Sequence, residues 1–152
     1  MDALLHNAAQ RATRYLDDLD ERSVVPAPED VSRLALLGGP LPDGPGDPAQ
    51  TLALLDEIGS PATVASAGGR YFGFVTGGSL PVTVAANWLA AAWDQNSAIP
   101  VMSPVAAALE QITLPWLLDI FGLPATSGGA FVTGATMANF TGLIAARHAL
   151  LA

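Results

Sequence analysis

Lysine is absent from all 152 residues, and so is cysteine. Without cysteine the chain can form neither a disulfide framework nor a thiolate metal site, a composition that suits a reducing cytoplasm. Every basic residue is an arginine: Arg11, Arg14, Arg22, Arg33, Arg70 and Arg147. These six are dispersed, and the net charge is -8. Phosphate backbones demand concentrated Lys and Arg, so a nucleic-acid partner is excluded as an expectation. Charge of either sign is scarce, at 13% of residues against about a quarter in an ordinary soluble domain. Hydrophobic residues make up 51%. That is too apolar for a comfortable monomer, so the surface is expected to be covered by a membrane or by more protein.

A membrane is the weaker of those two covers. Residues 71–93 and 120–146 are long enough to cross a bilayer, and charge is missing from both. Gly73, Gly77, Gly78 and Pro81 interrupt the first, however, and Gly122, Pro124, Gly128, Gly129 and Gly134 the second. Such punctuation divides each into short elements. Met1–Gln10 shows no basic patch followed by an apolar run, the mark of a secretory leader. Asp17, Asp18, Asp20 and Glu21 form the one acidic run, read as a solvated helix end.

Helical periodicity dominates what remains. Leu5, Ala8, Ala12, Leu16 and Leu19 place one apolar stripe on a helix from Asp2 to about Leu19. A short helix is expected over residues 30–37, and a Gly- and Pro-rich loop over 38–48. Asp47-Pro48 and Ser103-Pro104 each pair a capping side chain with proline in the first turn, so helices should start there. The first should end at Gly59 and the second at Gly122, with a kink near Pro115 where one backbone hydrogen bond is lost. Ser79 and Pro81 open another helix, to about Trp93. Residues 64–75 should be irregular or a short strand. Gly129 to Thr133 reads as a short buried strand, and a helix runs from about Thr136 to the last residue. That helix meets no stop signal, an arrangement expected of a piece of a longer protein.

Phe131-Val132-Thr133-Gly134-Ala135-Thr136-Met137-Ala138-Asn139 is the stretch with chemical content. A small-residue turn opens a helix whose first N–H groups, dipole and hydroxyls make an anion site. The plain structural alternative is Thr136 as a helix cap. The stretch lacks the second glycine and the lysine of a P-loop. No nucleophile–base pair, paired carboxylates or metal-ligating cluster is evident elsewhere, and His6 stands alone.

From Arg70 onward the sequence resembles the group II pyridoxal-phosphate-dependent amino-acid decarboxylases, the family of the aromatic-amino-acid, glutamate and histidine enzymes. Arg70-Tyr71-Phe72-Gly73-Phe74, with Thr76-Gly77 and Ser79-Leu80-Pro81 behind it, is similar to the family's aromatic-rich segment. Val101-Met102-Ser103-Pro104, followed by Leu109-Glu110, resembles its Ser-Pro helix start. Gly128 to Asn139 resembles its phosphate loop, and Ala145-Ala146-Arg147 fits the helix beyond. The chain departs from the family at Gly68-Gly69, where His-Pro is common, and at Pro115; both bear on substrate choice.

This resemblance implies an α/β fold, with an amino-terminal helical arm and the start of a large domain of the aspartate-aminotransferase type (fold type I), mostly helical in this stretch. Residues 1–60 would be a dimer-wrapping arm and residues 61–152 the incomplete cofactor domain. Gly134, Ala135 and Thr136 would hold the phosphate of pyridoxal 5'-phosphate. Phe72, Phe74 and Thr76 would meet the amino-acid substrate, with Asn96 and Ser97 nearby. The implied protein is a cytoplasmic homodimer that converts an amino acid to an amine and carbon dioxide. The Schiff-base lysine, the partner of the ring nitrogen and the stacking histidine belong to later sequence, so no catalytic residue is expected here and this chain alone should be inactive. A non-catalytic helical interaction module and a small membrane protein are the alternatives.

Overall fold

The computed structural model describes residues 1–151, which form six α-helices: α1 (Asp2–Asp17), α2 (Pro28–Arg33), α3 (Pro48–Leu54), α4 (Pro81–Trp93), α5 (Pro104–Ile120) and α6 (Ala135–Leu151). A 3-10 turn at Leu34–Leu37 extends α2. A π-turn at Leu55–Gly59 and a 3-10 turn at Ser60–Ala62 extend α3. The expected starts at Asp47 and Ser103 are present. The Asp47 carboxylate accepts from the Ala49 N–H at 2.9 Å, and the Ser103 hydroxyl accepts from the Ala106 N–H at 3.3 Å.

The expected stop of α5 is present as well. Gly122 takes φ +64°, its N–H donates to the Asp119 carbonyl, and the Leu123 N–H donates to the Leu118 carbonyl. This paired closure satisfies carbonyls the helix leaves free, and glycine adopts that φ without strain. Pro115 sits inside α5, which continues through it to Ile120; the Gln111 carbonyl loses its intrahelical donor there.

The strand expected at Gly129 to Thr133 is not formed, and among the described residues there is no strand at all. A strand's N–H and C=O groups must pair with a neighbour, and no other extended segment lies beside this one to supply them. The stretch instead runs as open coil, with Gly129 seated against the Leu114 side chain of α5.

Contacts divide the chain into two compact units, Met1–Val84 and Ala85–Ala152, with the boundary inside α4. In the first unit α1 lies against α3 and the π-turn. Ala8, Ala12, Tyr15 and Leu16 meet Leu52 and Leu55 across an open apolar groove of about 500 Å³. Arg11 Nη1 crosses that contact to Asp56 Oδ2 at 2.7 Å. The buried core is small: among the described residues only Ile58, Ala65 and Ser103 are inaccessible. Of these, Ser103 alone belongs to the second unit. Its helix α6 has no apolar stripe set against a polar face, and most of its residues are apolar.

Area makes the same point with a number. The chain exposes 12179 Å². A folded monomer of this mass should expose about 7,200 Å², and two separate bodies of half that mass about 8,700 Å². However the two units sit, about 3,500 Å² is surplus on that scale.

Candidate functional site

Two segments carry the residues with expected roles, one in each unit. In the first unit, residues 63–80 run as turns and coil between Ala62 and α4. Ala65 is buried at 2% exposure and its N–H donates to the Val24 carbonyl at 3.1 Å. The Gly68 and Tyr71 N–H groups then close successive turns onto the carbonyls of Ala65 and Gly68. Past Tyr71 the chain enters the open. Phe72 and Phe74 are each 94% exposed, and Thr76 is exposed beside them.

The backbone here is strained. Phe74 has φ 55° and Val75 φ 52°. A side chain in the left-handed region costs ~1–2 kcal/mol per residue, and a β-branched valine is an outlier there. Such geometry persists where neighbouring structure imposes it, and it concentrates at binding segments. Gly73 is crowded rather than strained. A Cβ built on it would stand 2.9 Å from the Tyr71 hydroxyl, so the Tyr71 ring lies over the glycine. Phe72, Phe74 and Thr76 thus share one projecting, preformed turn with no apolar cover among the described residues.

In the second unit, the turn at residues 124–129 folds back on α5, with the Ser127 N–H on the Pro124 carbonyl and Gly129 against Leu114. The chain then leads through Thr133 and Gly134 into α6. The Gly134 carbonyl accepts from the Ala138 N–H at 3.0 Å, so Gly134 occupies the cap position and Ala135 and Thr136 the first two helical ones. The cap role weighed for Thr136 therefore falls to Gly134. The N–H groups of Ala135, Thr136 and Met137 have no acceptor within the helix. Thr136 makes no side-chain hydrogen bond among the described residues, and all three residues are exposed. Space over Gly134 is open: nothing lies within 4 Å of a Cβ placed there. Three free donors, a hydroxyl and the positive end of a helix dipole fit a dianionic phosphate.

Asn96 and Ser97 lie in the same unit, in the turns between α4 and α5, both exposed; the Asn96 side-chain Oδ1 accepts from the Ala98 N–H at 3.0 Å. No group of three or more His, Asp or Glu side chains that could hold a metal occurs among the described residues. None of the described helices is long and apolar enough to cross a membrane.

The sequence pattern does not show what supports the aromatic turn. Arg70 donates to the carbonyls of Asp20 and Arg22, and Arg22 in turn donates to the Ser60 carbonyl while its guanidinium lies 4.6 Å from the centre of the Tyr15 ring. The only local hint is that one of six scarce cations stands at the head of the aromatic stretch.

Residues 64–152 match the pyridoxal-dependent decarboxylase conserved domain. The chain is also similar to the aromatic-L-amino-acid decarboxylase of Bacillus atrophaeus, with 34% identity over 82 residues. That alignment takes in 54% of this chain and 17% of the Bacillus protein's length. A pyridoxal cofactor has a phosphate at one end and a carbonyl at the other. The α6 start fits the phosphate, whereas the chain has no lysine for the carbonyl.

Proposed function

Because the chain belongs to the pyridoxal-dependent decarboxylase family, we propose that it supplies the phosphate loop and part of the substrate pocket of an enzyme that removes the carboxylate of an amino acid as carbon dioxide, leaving an amine. The α6 start carries this reading. Its free N–H groups and the unbonded Thr136 hydroxyl form a ready anion cradle in a stretch that matches the family.

In this reading Gly134 leaves room for the phosphate of pyridoxal 5'-phosphate, and Ala135 and Thr136 bind it through N–H and hydroxyl. When bound, the cofactor supplies an electron-accepting ring for the pair left behind by departing carbon dioxide. Phe72 and Phe74 exclude water around the amino-acid side chain, and Thr76 orients its carboxylate by a hydrogen bond. Residues outside these 152 provide the lysine and the proton-handling groups, so the chain alone is inactive.

The surplus of about 3,500 Å² supports covering protein, since obligate interfaces bury about 2,000–5,000 Å². We assign that cover to the rest of an aspartate-aminotransferase-type α/β domain, opened by residues 61–152, and to a second copy wrapped by residues 1–60, in a cytoplasmic homodimer. The test is to give the complete, cofactor-loaded enzyme aromatic amino acids, glutamate and histidine in turn. Equimolar amine and carbon dioxide from one of them supports the proposal. Transfer of the amino group to a keto acid without carbon dioxide refutes it.

A further inference from the structure

We infer that Arg70 is a positioning residue: its guanidinium clamps the aromatic turn to the end of α1, so that the docking of α1 sets where Phe72 and Phe74 stand. The inference rests on the substrate role proposed for that turn.

Both carbonyls that Arg70 engages, those of Asp20 and Arg22, belong to the turns that follow α1. The receiving surface is firmly built. The Tyr15 hydroxyl lies 2.9 Å from the Thr63 hydroxyl, the Ala65 N–H reaches the Val24 carbonyl, and a Cβ at Gly68 would stand 3.5 Å from Leu19 Cγ. Arg22 completes it by reaching the Ser60 carbonyl across the face of Tyr15. Residues 15–24 and 60–70 are thereby one body.

Beyond that body support ceases. The Tyr71 N–H makes the last backbone bond, and among the described residues 72–79 no hydrogen bond to any other part of the chain is found. Phe74 and Val75 hold left-handed φ in this free stretch. Their geometry must be imposed from its two ends, the upstream one being Arg70. A shift of the guanidinium by the length of one hydrogen bond would be carried directly into the two exposed rings.

The test uses Arg70→Met, which keeps an apolar stem and removes the donors, and Arg70→Lys, which keeps the charge without the planar fork. Arg33→Met is the control, since among the described residues Arg33 pairs only with Asp30, at 3.8 Å. Hydrogen exchange on the complete enzyme reads the clamp. At the Ala65, Gly68 and Tyr71 amides Arg70→Met should exchange about tenfold faster, with Arg70→Lys intermediate and the control unchanged. Kinetics on the complete enzyme read the consequence. KM for the amino acid should rise about tenfold with kcat changed less than about twofold, since ground-state positioning is what is lost. Equal exchange in Arg70→Met and wild type would overturn the clamp. Faster exchange with unchanged KM, or a loss confined to kcat, would overturn the positioning role. A wild-type enzyme without decarboxylase activity refutes the proposed function and the positioning role with it, while the clamp still stands or falls on the exchange result.

Discussion

Asp56 holds α1 to the π-turn, and its removal tests whether polar contacts or the apolar stripe fix that helix. Arg11 donates from Nη1 to Asp56 Oδ2 at 2.7 Å and from Nε to Asn7 Oδ1 at 2.8 Å, while Arg14 stands 3.7 Å from the same carboxylate. The Arg11 and Asp56 side chains are 19% and 25% exposed. Fully exposed pairs contribute ~0.2–1 kcal/mol, whereas a hydrogen bond to a charged group contributes ~1.5–3 kcal/mol. A short bond at the edge of an apolar groove falls between them, at about 1.5 kcal/mol. Arg14, at a longer distance and mostly exposed, adds little.

Asp56→Asn keeps the shape, Arg11→Met keeps the stem, and a double-mutant cycle isolates their coupling. Peptide-level hydrogen exchange of α1 should show about tenfold faster opening in either single variant and no further acceleration in the double, tenfold being the equivalent of ~1.4 kcal/mol. Salt at 1 M should trim the coupling without abolishing it, since the screening length there, about 3 Å, matches the separation of the pair. A coupling below about 0.3 kcal/mol, within the error of additivity, would show that Ala8, Ala12 and Leu16 hold α1 unaided.

In the complete enzyme, Thr136→Val removes one charge-assisted bond of ~1.5–3 kcal/mol, and titration by absorbance should show cofactor affinity falling about tenfold to a hundredfold; equal affinities would mean Thr136 plays no part in phosphate binding. The 152-residue chain mixed with pyridoxal phosphate and reduced with borohydride should carry cofactor mass on its terminal amine alone, and genuine turnover by it would sink the proposed division of labour. A hydrophobic dye should bind that chain strongly, whereas a dye-silent monomer with one cooperative thermal transition would contradict the surplus area. In the complete enzyme, Gly122→Ala should lower stability by about 1 kcal/mol in denaturant titrations, because its φ of +64° is left-handed while the space around its Cβ is empty; an unchanged midpoint would mean that α5 does not depend on this closure.

Locally encoded features were the legible ones. Asp47-Pro48, Ser103-Pro104 and Gly122 mark helix ends because capping and left-handed closure involve residues a few positions apart. The strand expected at Gly129 to Thr133 failed for the converse reason: its stability depends on a neighbour that no local pattern can report. The Arg11–Asp56 bond spans 45 positions and the Arg70 bonds about 50, so neither leaves a trace in periodicity. The strained pair at Phe74 and Val75 was hidden by Gly77 and Gly78, which advertise a turn three residues too late. The family was legible in the motifs from Arg70 onward, and the match over residues 64–152 bears the family out, whereas the support beneath the aromatic turn was not legible.

The near-absence of buried side chains in Ala85–Ala152 has a consequence for how this unit varies. Met137, Phe140, Leu143 and Ile144 of α6 are exposed and apolar, so within the chain a change at any of them costs less than it would in a packed core. With the cover proposed above, selection on such positions acts through the surfaces that pack against them. Under that cover their constraint comes from the assembly, and a mutational scan scored on the folding of the chain should find α6 permissive where a scan scored on enzyme activity finds it intolerant. Across related sequences, α6 should drift only in step with its cover, making covariation with distant residues the historical record of what packs against it.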